Sequence, residues 1–133
     1  MSTRIQTLGC ALILACAVIA AVPAGAQETP ADPAAEMAAA AQEAYQHAAA
    51  GVALGNVLPE EVYRWSRRWM EAETGRDPSS SAAQAQAHLE RMRKLQGDFD
   101  QAIAAGMAIP AAGAMTRYYV AEAQTTVAFA TSR

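Results

Sequence analysis

The sequence predicts an all-α fold, in which two helical hairpins (four helices) form an antiparallel bundle after an N-terminal signal helix. Three observations favour this fold. Apolar residues recur at helical spacing along four stretches, and alanine, the strongest helix former, is abundant. Glycine and proline clusters separate the stretches, and no segment has the pattern of a strand.

The N-terminal 26 residues predict a secretory signal peptide. Arg4 precedes an apolar run over residues 8–22, and Ala24 and Ala26 supply the small side chains that a peptidase needs beside the cleaved bond. Two alternatives stay open, a lipoprotein anchored through Cys16 and an uncleaved anchor, although a membrane span needs about 20 apolar residues. The sequence therefore predicts an exported protein, periplasmic or extracellular.

Cleavage after Ala26 restricts the chemistry of the mature chain. Both cysteines, Cys10 and Cys16, lie in the removed segment, so neither a disulfide nor a thiol site is expected. The formal charge of −3 becomes about −4 once Arg4 is lost. A basic surface is what phosphate backbones require, so we expect no nucleic-acid partner. We also expect no stable membrane insertion after cleavage.

An extended leader is predicted for residues 27–33, before a helical-hairpin bundle over residues 34–133. The first helix runs from residue 34 to about residue 54, and the second from residue 59 to about residue 74. Gly55 and Pro59 are suited to the end of one helix and the start of the next.

The second hairpin follows a predicted loop over residues 75–81, whose serines are candidate N-caps. The third helix runs from about residue 82 to 105 and the fourth from residue 110 to about 131. Gly97 lies inside the third helix, where glycine costs about 1 kcal/mol relative to alanine, so a bend or a close helix crossing is expected there.

The two hairpins are predicted to be an internal repeat, residues 41–75 matching residues 92–126. Gly55 and Gly106 are 51 positions apart, as are Pro59 and Pro110. Apolar positions before each glycine agree at the same offset. The alternative is that two alanine-rich hairpins share these features by composition alone.

The segment 60–71 is the most distinctive part of the mature chain. Aromatic and arginine side chains suit recognition, so Tyr63, Arg64, Arg67 and Arg68 are the candidate interaction surface. A simpler interpretation makes the tryptophans core and the charges a solvated face with i,i+4 pairs. The predicted core comprises Val62, Trp65, Trp69, Leu95, Phe99, Val120 and Val127. Tyr118 and Tyr119 are expected to contact Trp65 or Trp69.

No catalytic, cofactor-binding or metal-binding residue is predicted. His47 and His88 would have to meet, with help from Glu43 or Glu90, to hold a metal, and solvated and boundary histidines are the simpler interpretation. The serines 79–81 have no histidine at a nucleophile motif, and a flexible loop and helix cap explains them. Glu60 and Glu61 are adjacent on a helix and therefore point about 100° apart.

The hairpin pattern Ala-x-Gly-x-x-x-Pro, with Ala-Glu-Ala-Gln at residues 121–124 and Glu-Ala-Glu at residues 71–73, resembles the periplasmic helical-hairpin repeat of TolC-like outer-membrane efflux proteins. With the segment Tyr-Arg-Trp-Ser-Arg-Arg-Trp at residues 63–69, the chain equally resembles short secreted bacterial helical proteins of unassigned function. The resemblance covers about residues 41–131. It implies an exported hairpin module without enzymatic residues, and no channel, because the family's long chain and strands are missing here.

These observations favour a non-enzymatic, exported helical bundle that acts by protein–protein interaction or structural packing in the cell envelope. Its expected partner is another protein or a second copy of itself. The alternative hypothesis is a small-ligand or metal carrier whose site lies between the hairpins. An amphipathic helix lying on a membrane surface is disfavoured by the acidic charge.

Overall fold

A computed structural model describes residues 32–132. That part of the chain is all-α and without strands, with α1 (Pro33–Val52), α2 (Pro59–Arg76), α3 (Ser81–Ala104) and α4 (Pro110–Thr131). A short 3₁₀ turn, Pro78–Ser80, joins α2 to α3. The predicted fold class is confirmed, and each predicted helix end agrees to within two residues.

The predicted signal peptide 1–26, with Cys16, lies outside the described residues, as does most of the leader 27–33. The helix α1 begins at the last leader residue, Pro33, because Asp32 caps it: its Oδ1 accepts a hydrogen bond from the Ala34 N–H at 3.0 Å. Among the described helices, none combines the length and the hydropathy that crossing a bilayer requires.

The two turns that close the hairpins have nearly the same backbone. Gly55 and Gly106 have φ of +69° and +71°, a left-handed conformation that favours glycine. Each glycine N–H donates to the carbonyl three residues earlier at 3.0 Å. A proline then starts the next helix, Pro59 in α2 and Pro110 in α4. An internal repeat requires similar turns of this kind, but the repeat itself stays a prediction.

The helices α2 and α3 are the central pair. The helix α1 packs along α2 and α4 packs along α3, whereas the backbones of α1 and α4 do not come close to each other within residues 32–132. The hairpins meet mainly through α2 and α3, with smaller contacts of α2 with α4 and of α1 with α3. Met92 and Val62 are among the largest fully buried side chains in this core.

The predicted core is only partly buried. Val62, Leu95 and Phe99 are buried, while Trp65, Val120 and Val127 pack against the core from half-buried positions. Trp69 is half-buried and packs elsewhere, against Tyr45 and Arg91. Small side chains, including Ala48, Ala112 and Ala123, complete the core. Close helix contact therefore replaces the volume that large side chains would supply.

Close backbone approach occurs at Gly51 and Gly113, and the predicted helix crossing at Gly97 is wrong. Gly97 is exposed, and a Cβ built on it would meet no atom within 4 Å. At Gly51 a Cβ would overlap the Val57 side chain, and at Gly113 it would lie 3.0 Å from Ile103 Cδ1. Each of these two glycines lies where the chain folds back onto its own hairpin.

The connection between α2 and α3 is shorter than the predicted loop 75–81. Gly75 lies inside α2, which continues to Arg76, and α3 starts at Ser81. Ser80 occupies the N-cap position of α3, as predicted, but its side chain makes no capping bond to the start of the helix. Asp77 caps the 3₁₀ turn instead, accepting from the Ser79 hydroxyl at 2.6 Å and the Ser79 N–H at 3.0 Å, and these bonds lower the pKa of Asp77.

Candidate functional site

The predicted interaction surface comprises Tyr63, Arg64, Arg67 and Arg68. Two of these side chains contact the other hairpin, and the other two are exposed on α2. Tyr63 is half-buried between the hairpins, where its ring stacks on Tyr119 at a centroid distance of 4.2 Å. Tyr119 therefore contacts Tyr63, and the prediction that it contacts Trp65 or Trp69 is wrong. The Tyr63 hydroxyl donates to Glu122 at 2.9 Å, so this tyrosine holds α2 to α4.

Arg67 is bound within the same contact. Its Nε donates to Glu71 at 2.8 Å, which confirms the predicted i,i+4 pair, and its Nη1 donates to the Tyr63 hydroxyl at 3.0 Å and to Glu122 at 3.4 Å. The bond to Glu71 raises the pKa of Arg67, and burial raises the pKa of Tyr63. Both groups thus keep their protons at any ordinary pH.

Arg64 and Arg68 stay exposed. The Arg68 guanidinium lies 4.8 Å from the centroid of the Trp65 ring, a cation–π contact on the surface of α2. Of the four predicted residues, these two offer donors to a partner without breaking a contact between the hairpins.

A buried polar group, the central cluster of Ser66, His88 and Arg91, joins α2 to α3. The Ser66 Oγ lies 2.8 Å from His88 Nδ1 and accepts from Arg91 Nε at 2.7 Å. The Arg91 Nη2 also donates to the Ser66 carbonyl at 3.3 Å. Burial is nearly complete, since Ser66 and His88 expose 0% and 2% of their surface. The prediction of a boundary His88 is therefore wrong.

The direction of these bonds follows from the donors available. Arginine only donates, so the Ser66 oxygen accepts from Arg91 and its own proton points to His88 Nδ1. His88 is then neutral, with its proton on Nε2. Burial, and secondarily the charges of Arg91 and Arg67, lower the pKa of His88 to about 4.

A serine hydroxyl beside an imidazole is also the arrangement of an activated nucleophile. Here the hydroxyl and the ring are covered by the packed helices, so a substrate has no path to Ser66. The arginine that contacts the hydroxyl makes the imidazole a weaker base. The arrangement orders the interface between the hairpins, and in this conformation it does not present a nucleophile.

Arg91 extends from the cluster toward α1. Its guanidinium carbon lies 4.3 Å from the Trp69 ring centroid and 5.6 Å from that of Tyr45. Burial lowers the pKa of Arg91. The Trp69 Nε1 is buried without a hydrogen-bond partner. Trp69 therefore packs as an aromatic face for the arginine, which explains why it lies outside the aliphatic core.

Four large apolar side chains are exposed at the end of the bundle where both hairpin turns meet. Leu54 and Leu58 of the first turn, and Met107 and Ile109 of the second, each expose between 68% and 76% of their surface. We name these four residues the turn end. They surround a cavity of about 890 Å³ that both hairpins line.

The cavity of the turn end has an apolar floor and one charged wall. Phe99 and Ala112 belong to the core as well as to the lining. On the wall, Lys94 Nζ binds Asp98 Oδ2 at 2.6 Å. An apolar group that enters the cavity thus meets hydrocarbon below and a neutralised charge pair at the side.

Two turn-end residues occupy positions where helices usually carry polar caps. Leu58 and Ile109 are the N-caps of α2 and α4, with ψ of 147° and 148°, and neither makes a capping bond. A serine or aspartate at such a position adds about 1 kcal/mol of stability. The sequence signal for the turn end was the presence of large apolar side chains inside both Gly-x-x-x-Pro turns. The apolar periodicity of the helices did not reveal it, because these residues lie between the helices.

The remaining candidate residues are dispersed. His47 lies near Glu43, Nε2 to Oε1 3.7 Å, on an exposed face of α1, whereas His88 is in the central cluster. Residues 32–132 hold no group of three or more histidine, cysteine, aspartate or glutamate side chains arranged for a metal ion.

Comparison of the chain with protein-family models, with curated proteins and with solved structures gives no match. The resemblance to TolC-like hairpins and to short secreted helical proteins therefore stays a prediction.

Proposed function

We propose that this protein is an exported, non-enzymatic helical bundle that binds a protein partner, another chain or a second copy of itself, through its turn end. The single observation that carries the proposal is the exposure of four large apolar side chains around one cavity. Contiguous exposed apolar surface is costly in a monomer and is typical of an interaction site.

The geometry of the turns adds a second argument. Leu58 and Ile109 replace polar caps that would stabilise α2 and α4. Two hairpins thus give up stability at the same position, and both gain an exposed aliphatic side chain. Such a trade is expected where the side chain has a use beyond folding.

Site-specific photo-crosslinking in intact cells tests this function. A photoreactive phenylalanine analogue replaces Leu58 or Ile109 in one pair of variants, and Arg64 or Arg68 in a matched control pair on exposed α2 positions. We expect a discrete cross-linked species from the turn end and none from the arginine positions. Cross-linking from Arg64 or Arg68 alone would favour the aromatic–arginine segment, and no cross-linking from any position would contradict the proposal.

A second candidate is a carrier of a small apolar ligand, favoured by the volume of the same cavity. Ala108 is half-buried on the lining, so Ala108→Phe would fill the cavity while leaving the exposed side chains in place. Native mass spectrometry of the purified protein with a panel of fatty acids distinguishes the two. A carrier binds a fatty acid and loses it in Ala108→Phe, whereas a protein-binding surface shows no adduct.

A further inference from the structure

The two histidines of this chain have opposite environments, and one of them lies between the hairpins. Ser66 belongs to the first hairpin, and His88 and Arg91 to the second. The three side chains are linked by hydrogen bonds of 2.7–2.8 Å. The main contact between the hairpins therefore contains a polar group that titrates in aqueous solution near pH 6.5.

The groups around His88 offer no compensation for a positive charge. On α2, Arg67 carries like charge and the Tyr63 ring lies 6.0 Å away; on α3, Arg91 is cationic. From α4, Tyr119 stacks on Tyr63, and the carboxylate of Glu122 is already bound by Tyr63 and Arg67. From α1, Tyr45 faces the guanidinium of Arg91.

Protonation would also reverse a hydrogen bond that the cluster needs. A charged imidazole has a proton on Nδ1, which would point at the Ser66 hydroxyl proton. The hydroxyl would have to turn this proton away and accept from Nδ1 with its second lone pair, and the described contacts of Ser66 include no other acceptor for the proton. Both the charge and the bond direction thus favour neutral His88 in the packed state.

We propose that His88 is an acid-sensitive latch, which holds the two hairpins together while neutral and releases them when it is protonated. The folded pKa of about 4 is below the usual 6.5 of a free histidine, so the separated state binds the proton more tightly. The contribution to stability is therefore complete above pH 6.5 and is lost as the pH falls toward 4. Within that window the ratio of separated to packed molecules rises about tenfold per pH unit.

Release would also dismantle the turn end, because both hairpins line its cavity. This consequence rests on the proposed function, whereas the latch does not. A structural measurement on the purified protein therefore tests the latch alone. Cross-linking in cells at neutral pH tests the proposed function alone.

Circular dichroism of the purified protein between pH 7.5 and 4 is the first test. The near-ultraviolet signal includes the Tyr63–Tyr119 stack between the hairpins, beside the Tyr45–Trp69 contact within the first hairpin, and the far-ultraviolet signal reports the helices. We expect the contribution of this stack to be lost as the pH falls from 6.5 toward 4, while helicity remains. His88→Gln removes the titrating group and should flatten this dependence, and His47→Gln, at an exposed histidine, should leave it unchanged. Simultaneous loss of both signals, or an unchanged profile in His88→Gln, would overturn the latch.

Imidazole NMR of the unsubstituted protein is a second test, which does not depend on a folded variant. We expect His88 to be neutral at pH 7 with its proton on Nε2, and to gain a proton only as the near-ultraviolet signal disappears. Titration of His88 near pH 6.5 in a packed bundle would refute the proposal, as would a proton on Nδ1 at pH 7.

Discussion

The central cluster and the turn end distribute polar and apolar groups in opposite ways. At the centre, a buried serine and a buried histidine are bound to each other, and a half-buried arginine donates to the serine. At the turn end, four aliphatic or thioether side chains are exposed. Residue types that usually indicate chemistry thus hold the hairpins together here, and residue types that usually form a core are exposed at the turn end.

The largest expected effect separates true core from exposed apolar surface. Met92 is fully buried, so Met92→Ala should lower the free energy of unfolding by about 2–5 kcal/mol. Leu54→Ala at the turn end removes similar volume from an exposed site and should change it by less than about 0.5 kcal/mol. Urea unfolding followed by far-ultraviolet circular dichroism measures both. Equal losses would contradict the exposed position of Leu54.

Ser66→Ala should have the next largest effect. It leaves His88 Nδ1 and the charged Arg91 Nε without their buried partner, and we expect a loss of about 2–3 kcal/mol. Thr125→Ala is the matched control, because its hydroxyl bonds only to its own helix on an exposed face. The same urea titration measures both variants. An unchanged free energy of unfolding in Ser66→Ala would mean that the central cluster does not hold the interface.

Two glycine substitutions sharpen the description of the turn end. Gly51→Ala would displace Val57, which lines the cavity, and should cost about 1–2 kcal/mol by overpacking. Gly97→Ala meets open space in an exposed helix and should stabilise by up to about 1 kcal/mol. Thermal unfolding reports the sign of each change, and the same sign for both would contradict the assigned contacts.

The fold follows from features that are local in the sequence. Prolines at the first helical position and glycines with positive φ define both turns, and apolar spacing defines the helices between them. Close approach at Gly51 and Gly113 could not be read from the sequence, because it depends on which side chains return across the hairpin. Gly97, on the exposed side of α3, differs from them only in its surroundings.

The candidate site was less accessible to such reasoning. His88 lies at the apolar spacing of α3, three residues after Ala85 and four before Met92, but its pairing with Ser66, 22 positions earlier, depends on how the hairpins dock. Tyr63 and Arg67 have the composition of a recognition surface, yet they bind Glu122 of the other hairpin. Partners from distant helices thus decide whether the same side chain faces a ligand or the fold.

Replacing both apolar caps tests the central claim most directly, because it separates stability from binding. The double variant Leu58→Ser and Ile109→Ser removes two exposed aliphatic side chains and adds N-cap hydroxyls; at Leu58→Ser the hydroxyl precedes Glu61 by three residues, as in a capping box. We expect each cap to add about 1 kcal/mol of stability.

The deciding measurement has two parts. Thermal unfolding gives the stability of the double variant, and sedimentation gives its binding to the partner that photo-crosslinking identifies, or to a second copy of itself. The account predicts a higher melting temperature together with weaker binding. Undiminished binding by the more stable variant would contradict the assignment of the turn end as the interaction surface.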